Sequence, residues 1–203
     1  MHINWLGQTC VKIQTKNNEK EATVLINAYR PKTGNFPRSF TTNIALYSSG
    51  FENAATLSQN PFIVDTLGEF ELENIVIHSI PNEENNNIFK IVSEGMMILY
   101  LGNLTKELKT EDLEKIMNPD ILFLPVGNKN YLSIKEAASL ITTLEPRIII
   151  PIGFKCDTEP EVESISKFIS EVGLKPENVG NKVIIKQKDL PQEETKLVVL
   201  EKE

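Results

Sequence analysis

Ile121-Leu122-Phe123-Leu124-Pro125-Val126-Gly127 and, across an intervening amphipathic stretch, Arg147-Ile148-Ile149-Ile150-Pro151-Ile152-Gly153 are the segments whose reading decides the fold. Each is a short apolar run closed by proline and glycine, the pattern of a strand over Ile121–Pro125 and over Arg147–Ile152. The stretch between them, Ile134–Leu144, has helical periodicity, and Ser133 stands before Ile134-Lys135-Glu136 as an N-cap candidate. Two further helical patterns flank the unit. Thr110–Met117 lies upstream, with Thr110 as N-cap candidate before Glu111-Asp112-Leu113, and Pro160–Val172 lies downstream, stopped by Gly173. This βαβα rhythm marks the second half of the chain as α/β. Lys182–Lys186 and Lys196–Leu200 read as two final strands flanking the Pro191 turn.

Upstream the character changes to short β-type runs parted by turn residues: Ile3–Leu6, Val11–Thr15, Thr23–Asn27, Asn43–Tyr47, Phe62–Val64, Glu69–Leu72, Ile75–Ile80, Ile88–Ser93 and Met96–Leu101. Glu94-Gly95 reads as a hairpin turn, and Asn74 parts two strands that fold back on each other. Pro31–Ser39 is the best loop candidate and the one locally basic feature, with Arg30, Lys32 and Arg38 beside Pro31, Gly34 and Pro37. Asn85-Asn86-Asn87 is the one low-complexity patch. With no internal repeat or long linker, 203 residues suit a single domain over 1–203.

A net charge of −7 and a pI near 5.1 argue against a nucleic-acid surface, because no Lys/Arg-rich stretch supplies phosphate contacts. Lys106 and Lys109 are interspersed with Glu107, Glu111 and Asp112, a mixed pattern typical of an exposed helix entrance. No apolar run approaches a membrane span and no signal segment is evident, so a cytoplasmic location is expected. Cys10 and Cys156 stand far apart and read as buried free thiols. The chain has two histidines, His2 and His78, neither paired at metal-ligand spacing. His78 lies in an apolar strand with parity opposite to Ile75 and Ile77, as a core or half-exposed residue. Gly7, Gly102 and Gly127 read as tight turns, since no Gly-x-Gly-x-x-Gly occurs.

Several landmarks, in order, carry a resemblance: Trp5-Leu6-Gly7-Gln8-Thr9-Cys10, Val24-Leu25-Ile26-Asn27-Ala28-Tyr29, Gly68-Glu69-Phe70-Glu71, Tyr100-Leu101-Gly102-Asn103-Leu104, Leu124-Pro125-Val126-Gly127 and Ile149-Ile150-Pro151-Ile152-Gly153-Phe154. Over nearly its whole length the chain resembles the small bacterial and archaeal branch of Zn-dependent hydrolases of the metallo-β-lactamase fold. The resemblance implies an α/β protein (α+β in some schemes), a four-layer αββα sandwich.

It also implies a metal centre whose ligands this chain lacks. Where the family carries His-x-His-x-Asp-His, this sequence reads Ser48-Ser49-Gly50-Phe51-Glu52-Asn53, so Ser48, Gly50 and Asn53 replace histidines and Glu52 the aspartate. The family's Gly-Asp becomes Gly102-Asn103, its Pro-x-His becomes Pro151-Ile152-Gly153, and Asn27-Ala28 replaces an Asp-Pro pair. Gln8 is ambiguous, because relatives show either His or Gln there. The connection from Ile80 to Ile88, longer and histidine-bearing in relatives, is shortened to Pro81–Asn87. Zinc is expected of the family, yet serine, glycine and neutral asparagine are not zinc ligands. Without the ion no bound water falls from a pKa of 15.7 to about 7, and the hydrolytic nucleophile is lost.

Three functional readings follow. The first is a catalytically inactive protein with a vacated metal site, acting by binding or assembly with a protein partner or a second copy, as degenerate members of the superfamily do. The second is a hydrolase with an atypical site, holding a hard ion through Glu52, Glu69, Asp65 and Asn103. The third is a small-molecule-binding module whose neutral pocket is formed by Asn27, Ser48, Asn53 and Asn103. Ser48 and Ser49 lack a histidine to activate them as nucleophiles, and Glu69 has an architectural alternative at a strand start.

Overall fold

The computed structural model describes residues 1–17, 20–82, 86–106 and 108–203. The strands of its first half are His2–Trp5 (β1), Val11–Asn17 (β2), Lys20–Ile26 (β3), Ser39–Thr41 (β4), Ile44–Leu46 (β5), Thr56–Ser58 (β6), Phe62–Val64 (β7), Gly68–Leu72 (β8), Ile75–Ile80 (β9), Ile88–Ser93 (β10) and Met96–Tyr100 (β11). The second half runs Thr110–Ile116 (α1), Ile121–Pro125 (β12), Ile134–Leu144 (α2), Ile148–Ile152 (β13), Ile165–Val172 (α3), Pro176–Asn178 (β14), Lys182–Ile184 (β15), a 3-10 turn over Gln187–Asp189, and Lys196–Val199 (β16).

Two mixed sheets form a sandwich, one ordered β15-β1-β2-β3-β5-β7 and the other β14-β16-β13-β12-β11-β10-β9-β8. In the first, Val11, Ile13, Val24, Ile26, Ile44 and Leu46 face the second sheet from alternate positions, while Leu25 and Ala45 face outward. β12 and β13 are buried along their whole length, as befits parallel strands covered on both faces. The helices α1 and α2 are the crossovers between parallel neighbours and α3 leads from β13 past β16 to β14, and right-handed crossovers advancing in one direction set them on one face of this sheet. The outward face of the six-stranded sheet is covered instead by the segment after β3 and by the parallel β4–β6 pair, through Tyr29, Phe36, Phe40 and Leu57.

The hairpins fall where the turn residues put them. Glu73-Asn74 (φ 51 and 58) and Glu94-Gly95 (φ 52 and 72) carry two consecutive positive φ values, the signature of a two-residue turn matched to strand twist. Ser133 caps α2 in a reciprocal box with Glu136, and Gly173 ends α3 with φ 68.

Three expectations are corrected, for α1, α3 and Cys156, and the two final strands form as read but part company. α1 begins at Thr110 itself, with Lys109 at the cap position supplying its carbonyl to the amides of Asp112 and Leu113. α3 begins at Ile165, not Pro160, because the Glu163 amide is spent on the Gly127 carbonyl (2.8 Å), which holds residues 160–163 in a turn. The two final strands close different sheets: β15 edges the first beside β1, and β16 inserts between β13 and β14 in the second. Cys10 is buried, but Cys156 is only half-buried; both are free. Among the described residues, no helix is long and apolar enough to cross a membrane.

Candidate functional site

The segments following β1, β3, β5 and β11 meet at one end of the sandwich and enclose a cleft of about 290 Å³. Gln8, Asn27, Gly50, Glu52, Asn53 and Asn103 line it, so six of the positions singled out from sequence share one cavity. Ser48 lies beneath it, 1% exposed, and Gly153 lies to one side.

Asn27 organises the floor. It follows β3 in the left-handed region (φ 51), a conformation asparagine tolerates better than most residues, and its side chain reaches across to the opposite sheet. Its Oδ1 accepts from the Ser48 amide (2.9 Å), and its Nδ2 donates to Ser48 Oγ and to the Tyr100 hydroxyl, both at 2.8 Å. Thr9 Oγ1, at 3.2 Å, shares the same amide group. Tyr100 donates onward to the Thr9 carbonyl. Thr9 Oγ1 donates to Asn103 Oδ1 (2.8 Å), and Asn103 Nδ2 donates to Ser49 Oγ (2.9 Å). Ser48 and Asn103, two of the positions that the resemblance assigns to metal ligands, are thereby linked with Asn27 through a neutral network that joins the two sheets. Gly102 is needed beside it: with φ 61, a Cβ there would stand 2.9 Å from both Cβ and Oγ of Ser48.

Gly153 is sealed off. A Cβ at this position would lie 2.9 Å from the ring of Tyr131, whose hydroxyl donates to both carboxylate oxygens of Glu159 (3.0 and 2.9 Å). Burial pushes the Glu159 carboxyl above its ordinary range, against the opposing pull of the Tyr131 hydrogen bond. Burial likewise raises the hydroxyls of Tyr100, Tyr131 and Tyr29 and the thiol of Cys10, so these four groups stay protonated and uncharged at neutral pH. Cys10 is therefore no nucleophile.

The carboxylates weighed for a hard ion do not converge. Glu52 lines the cleft with Asn103, but Glu69 sits on β8 at the edge of the other sheet, opposite His78, whose Nδ1 is 3.1 Å from Glu69 Oε1. Asp65 follows β7 and does not line the cleft. Among the described residues, Glu52 is the one of the types that hold zinc that lines this cavity, and the Oδ1 atoms of Asn27 and Asn103 already accept hydrogen bonds. These residues do not fit a zinc centre, which takes three protein ligands from imidazole, thiolate and carboxylate. Among the described residues, no three His, Cys, Asp or Glu come together to hold a metal ion.

The shortened connection lies partly outside the described residues, at Glu83, Glu84 and Asn85. Of its remainder, Asn87 donates its amide to the Ser48 carbonyl (2.6 Å), and Asn86 is 7% exposed beside Gly102. Glu107, of the mixed-charge stretch, also lies outside. Thr9, Tyr100, Tyr131 and Glu159 are site residues that the motif comparison missed. Thr9 and Tyr100 stand inside the family landmarks, beside Gln8 and Gly102–Asn103, whereas nothing in the local pattern marks Tyr131.

Residues 2–153 match the family profile described as the beta-lactamase superfamily domain. A metal-dependent hydrolase from Methanopyrus kandleri is 21% identical, over 88% of this chain and 96% of its own length. Among solved structures, a Zn-dependent hydrolase of the metallo-β-lactamase superfamily from Thermotoga maritima superposes with TM-score 0.82 at 23% identity, covering 98% of both chains. Igni18, a metallo hydrolase from Ignicoccus hospitalis, superposes with TM-score 0.61 at 14% identity, over 85% of this chain and 90% of its own. At these identities the structural likenesses establish the fold.

Proposed function

The chain belongs to the β-lactamase superfamily domain family, and from that premise we propose that it is a member without metal catalysis, a single domain over 1–203 acting in the cytoplasm by binding or assembly. One observation carries the reading: side chains at three of the positions that differ from the family pattern are committed to hydrogen bonds within the protein, Asn27 to Ser48 and Tyr100, and Asn103 to Thr9 and Ser49. Displacing that network would leave the buried hydroxyls of Thr9, Ser48 and Tyr100 unpaired, at about 1–3 kcal/mol for each group, while offering an ion only weak neutral oxygens. Exposed apolar residues on and after the edge strand β7, Phe62 (42%), Ile63 (44%) and Leu67 (54%), support a role in assembly with a protein partner or a second copy.

Metal analysis of protein purified without chelator tests the reading. Substoichiometric zinc, manganese and iron are expected, with no phosphodiesterase or lactonase turnover after any of these ions is added. Stoichiometric metal, or turnover abolished by Glu52→Gln, would establish the hydrolase alternative instead. The small-molecule alternative draws on the cleft itself, whose volume lies near the lower limit for ligand pockets and whose wall carries the side chains of Gln8 and Asn53. A metabolite that raises the melting temperature of the native chain but not of Asn53→Ala would favour it.

A further inference from the structure

Of the three arginines, Arg147 faces Asp120 at 3.5 Å, while Arg30 and Arg38 line one cleft of about 280 Å³ and, among the described residues, pair with no carboxylate. Arg30 makes only a long contact to Thr56 Oγ1 (3.5 Å). In a chain of net charge −7, two arginines that line one cavity and have no ion pair among the described residues stand out. The walls between them are apolar and aromatic: Tyr29 and Phe36 approach at 4.2 Å between ring centroids, and Ala55 is buried. The segment that carries both arginines is pinned from outside. The Asn35 amide donates to Asp157 Oδ2 (2.8 Å), Lys202 Nζ donates to the Asn35 carbonyl (2.6 Å), and the Arg30 amide donates to the Asn53 carbonyl (2.8 Å). The cleft is thus formed before any ligand arrives, which lowers the ordering cost of binding.

We propose that this cleft binds a small organic anion, an oxyanion carried on an apolar ring or chain. The oxyanion sits between Arg30 and Arg38, whose planar forks match carboxylate and phosphate oxygens, and the apolar body rests on Tyr29, Phe36 and Ala55. Tyr29 also lines the vacated centre, so the two cavities share a wall. This inference does not depend on the metal-free reading: a metal found in the centre would overturn that reading and leave this one standing.

The test is an NMR titration of the full chain at low salt with phenylacetate and with phenyl phosphate, following the backbone amides of residues 29–38 and 53–56. Saturable shifts confined to these residues are expected with at least one of the two, and the tighter binder identifies the oxyanion. Arg30→Gln and Arg38→Gln should each weaken binding by about ten- to hundredfold, as expected for loss of a hydrogen bond to a charged group. Arg38→Lys should fall between, keeping the charge and losing the fork. Neutral benzyl alcohol and inorganic phosphate should each bind at least about tenfold more weakly than the better organic anion. Both substituted side chains are exposed, so the remaining amide spectrum reports an intact fold. Absence of saturable shifts with both organic anions, unchanged affinity in both glutamine variants, or inorganic phosphate binding as tightly as phenyl phosphate would overturn the proposal.

Discussion

Glycine at position 153 is required twice. Its φ of 65 strains any side chain, and the Tyr131 ring occupies the space where a Cβ would go. A close backbone approach adds a further constraint, since a Cβ on Gly127 would clash with the Gly153 carbonyl oxygen. The Gly153→His exchange, which restores a family ligand on paper, should therefore destabilise the chain by about 1–3 kcal/mol and still bind no zinc. Urea unfolding and metal content check both parts, and a folded variant with bound zinc would refute the account. Loss of the ligand types at Ser48, Gly50, Asn53, Asn103 and Gly153 was legible from residue identity, because donor chemistry belongs to a side chain wherever it sits. The occupation of that space by Tyr131 was not, since Tyr131 and Gly153 belong to different connections of the second sheet.

Among the elements, the segment over 30–38 shows how a stretch read as a loop acquires structure. It lacks periodicity, yet Asp157 ties it down, and the backbone amide of Asn35, followed by Lys202, holds the Asp157 carboxyl below its ordinary range. A depressed folded pKa contributes stability that is present above the unfolded value of about 3.9 and lost as pH falls through the folded one. Acidification through that window should lower the protection of the Asn35 amide relative to its intrinsic exchange rate at each pH, and Asp157→Asn should lower that protection at neutral pH and weaken its dependence on acid. Exchange at Asn35 that ignores both changes would remove Asp157 from this role. The long apolar strands and α2 were legible because their periodicity spans several residues. β4, β6 and β14 were not, because Ser39–Thr41, Thr56–Ser58 and Pro176–Asn178 hold no apolar run, unlike the equally short Phe62–Val64, and owe their existence to a distant partner.

For the whole molecule, polar links join the sheets at both ends of an otherwise apolar interior. One end holds the Asn27–Tyr100 bond, and the other holds Glu94, at the β10–β11 turn, which accepts from the Met1 amino group (2.7 Å), Thr15 Oγ1 (2.9 Å) and the Lys16 amide (2.8 Å). Thr15 and Ser93 bond beside it at 2.6 Å. Glu94→Ala strands these partners and should cost about 2–4 kcal/mol in equilibrium unfolding, more than an exposed ion pair such as Lys16–Glu21. A loss below about 0.5 kcal/mol, the usual surface value, would show that the link is dispensable.

The amino-acid sequence by itself determined the βαβα half, the strand-rich half, the order of the family motifs and the absence of imidazole from every position that the resemblance assigns to a metal ligand, because these are properties of local pattern and covalent identity. Tertiary structure alone decided that Asn27, Ser48 and Asn103 join one hydrogen-bond network, that Tyr131 covers Gly153 and that Arg30 and Arg38 line one cleft. Thr9 and Asn103 are 94 residues apart, and their hydrogen bond exists only because burial of the two apolar faces brings the sheet ends into register.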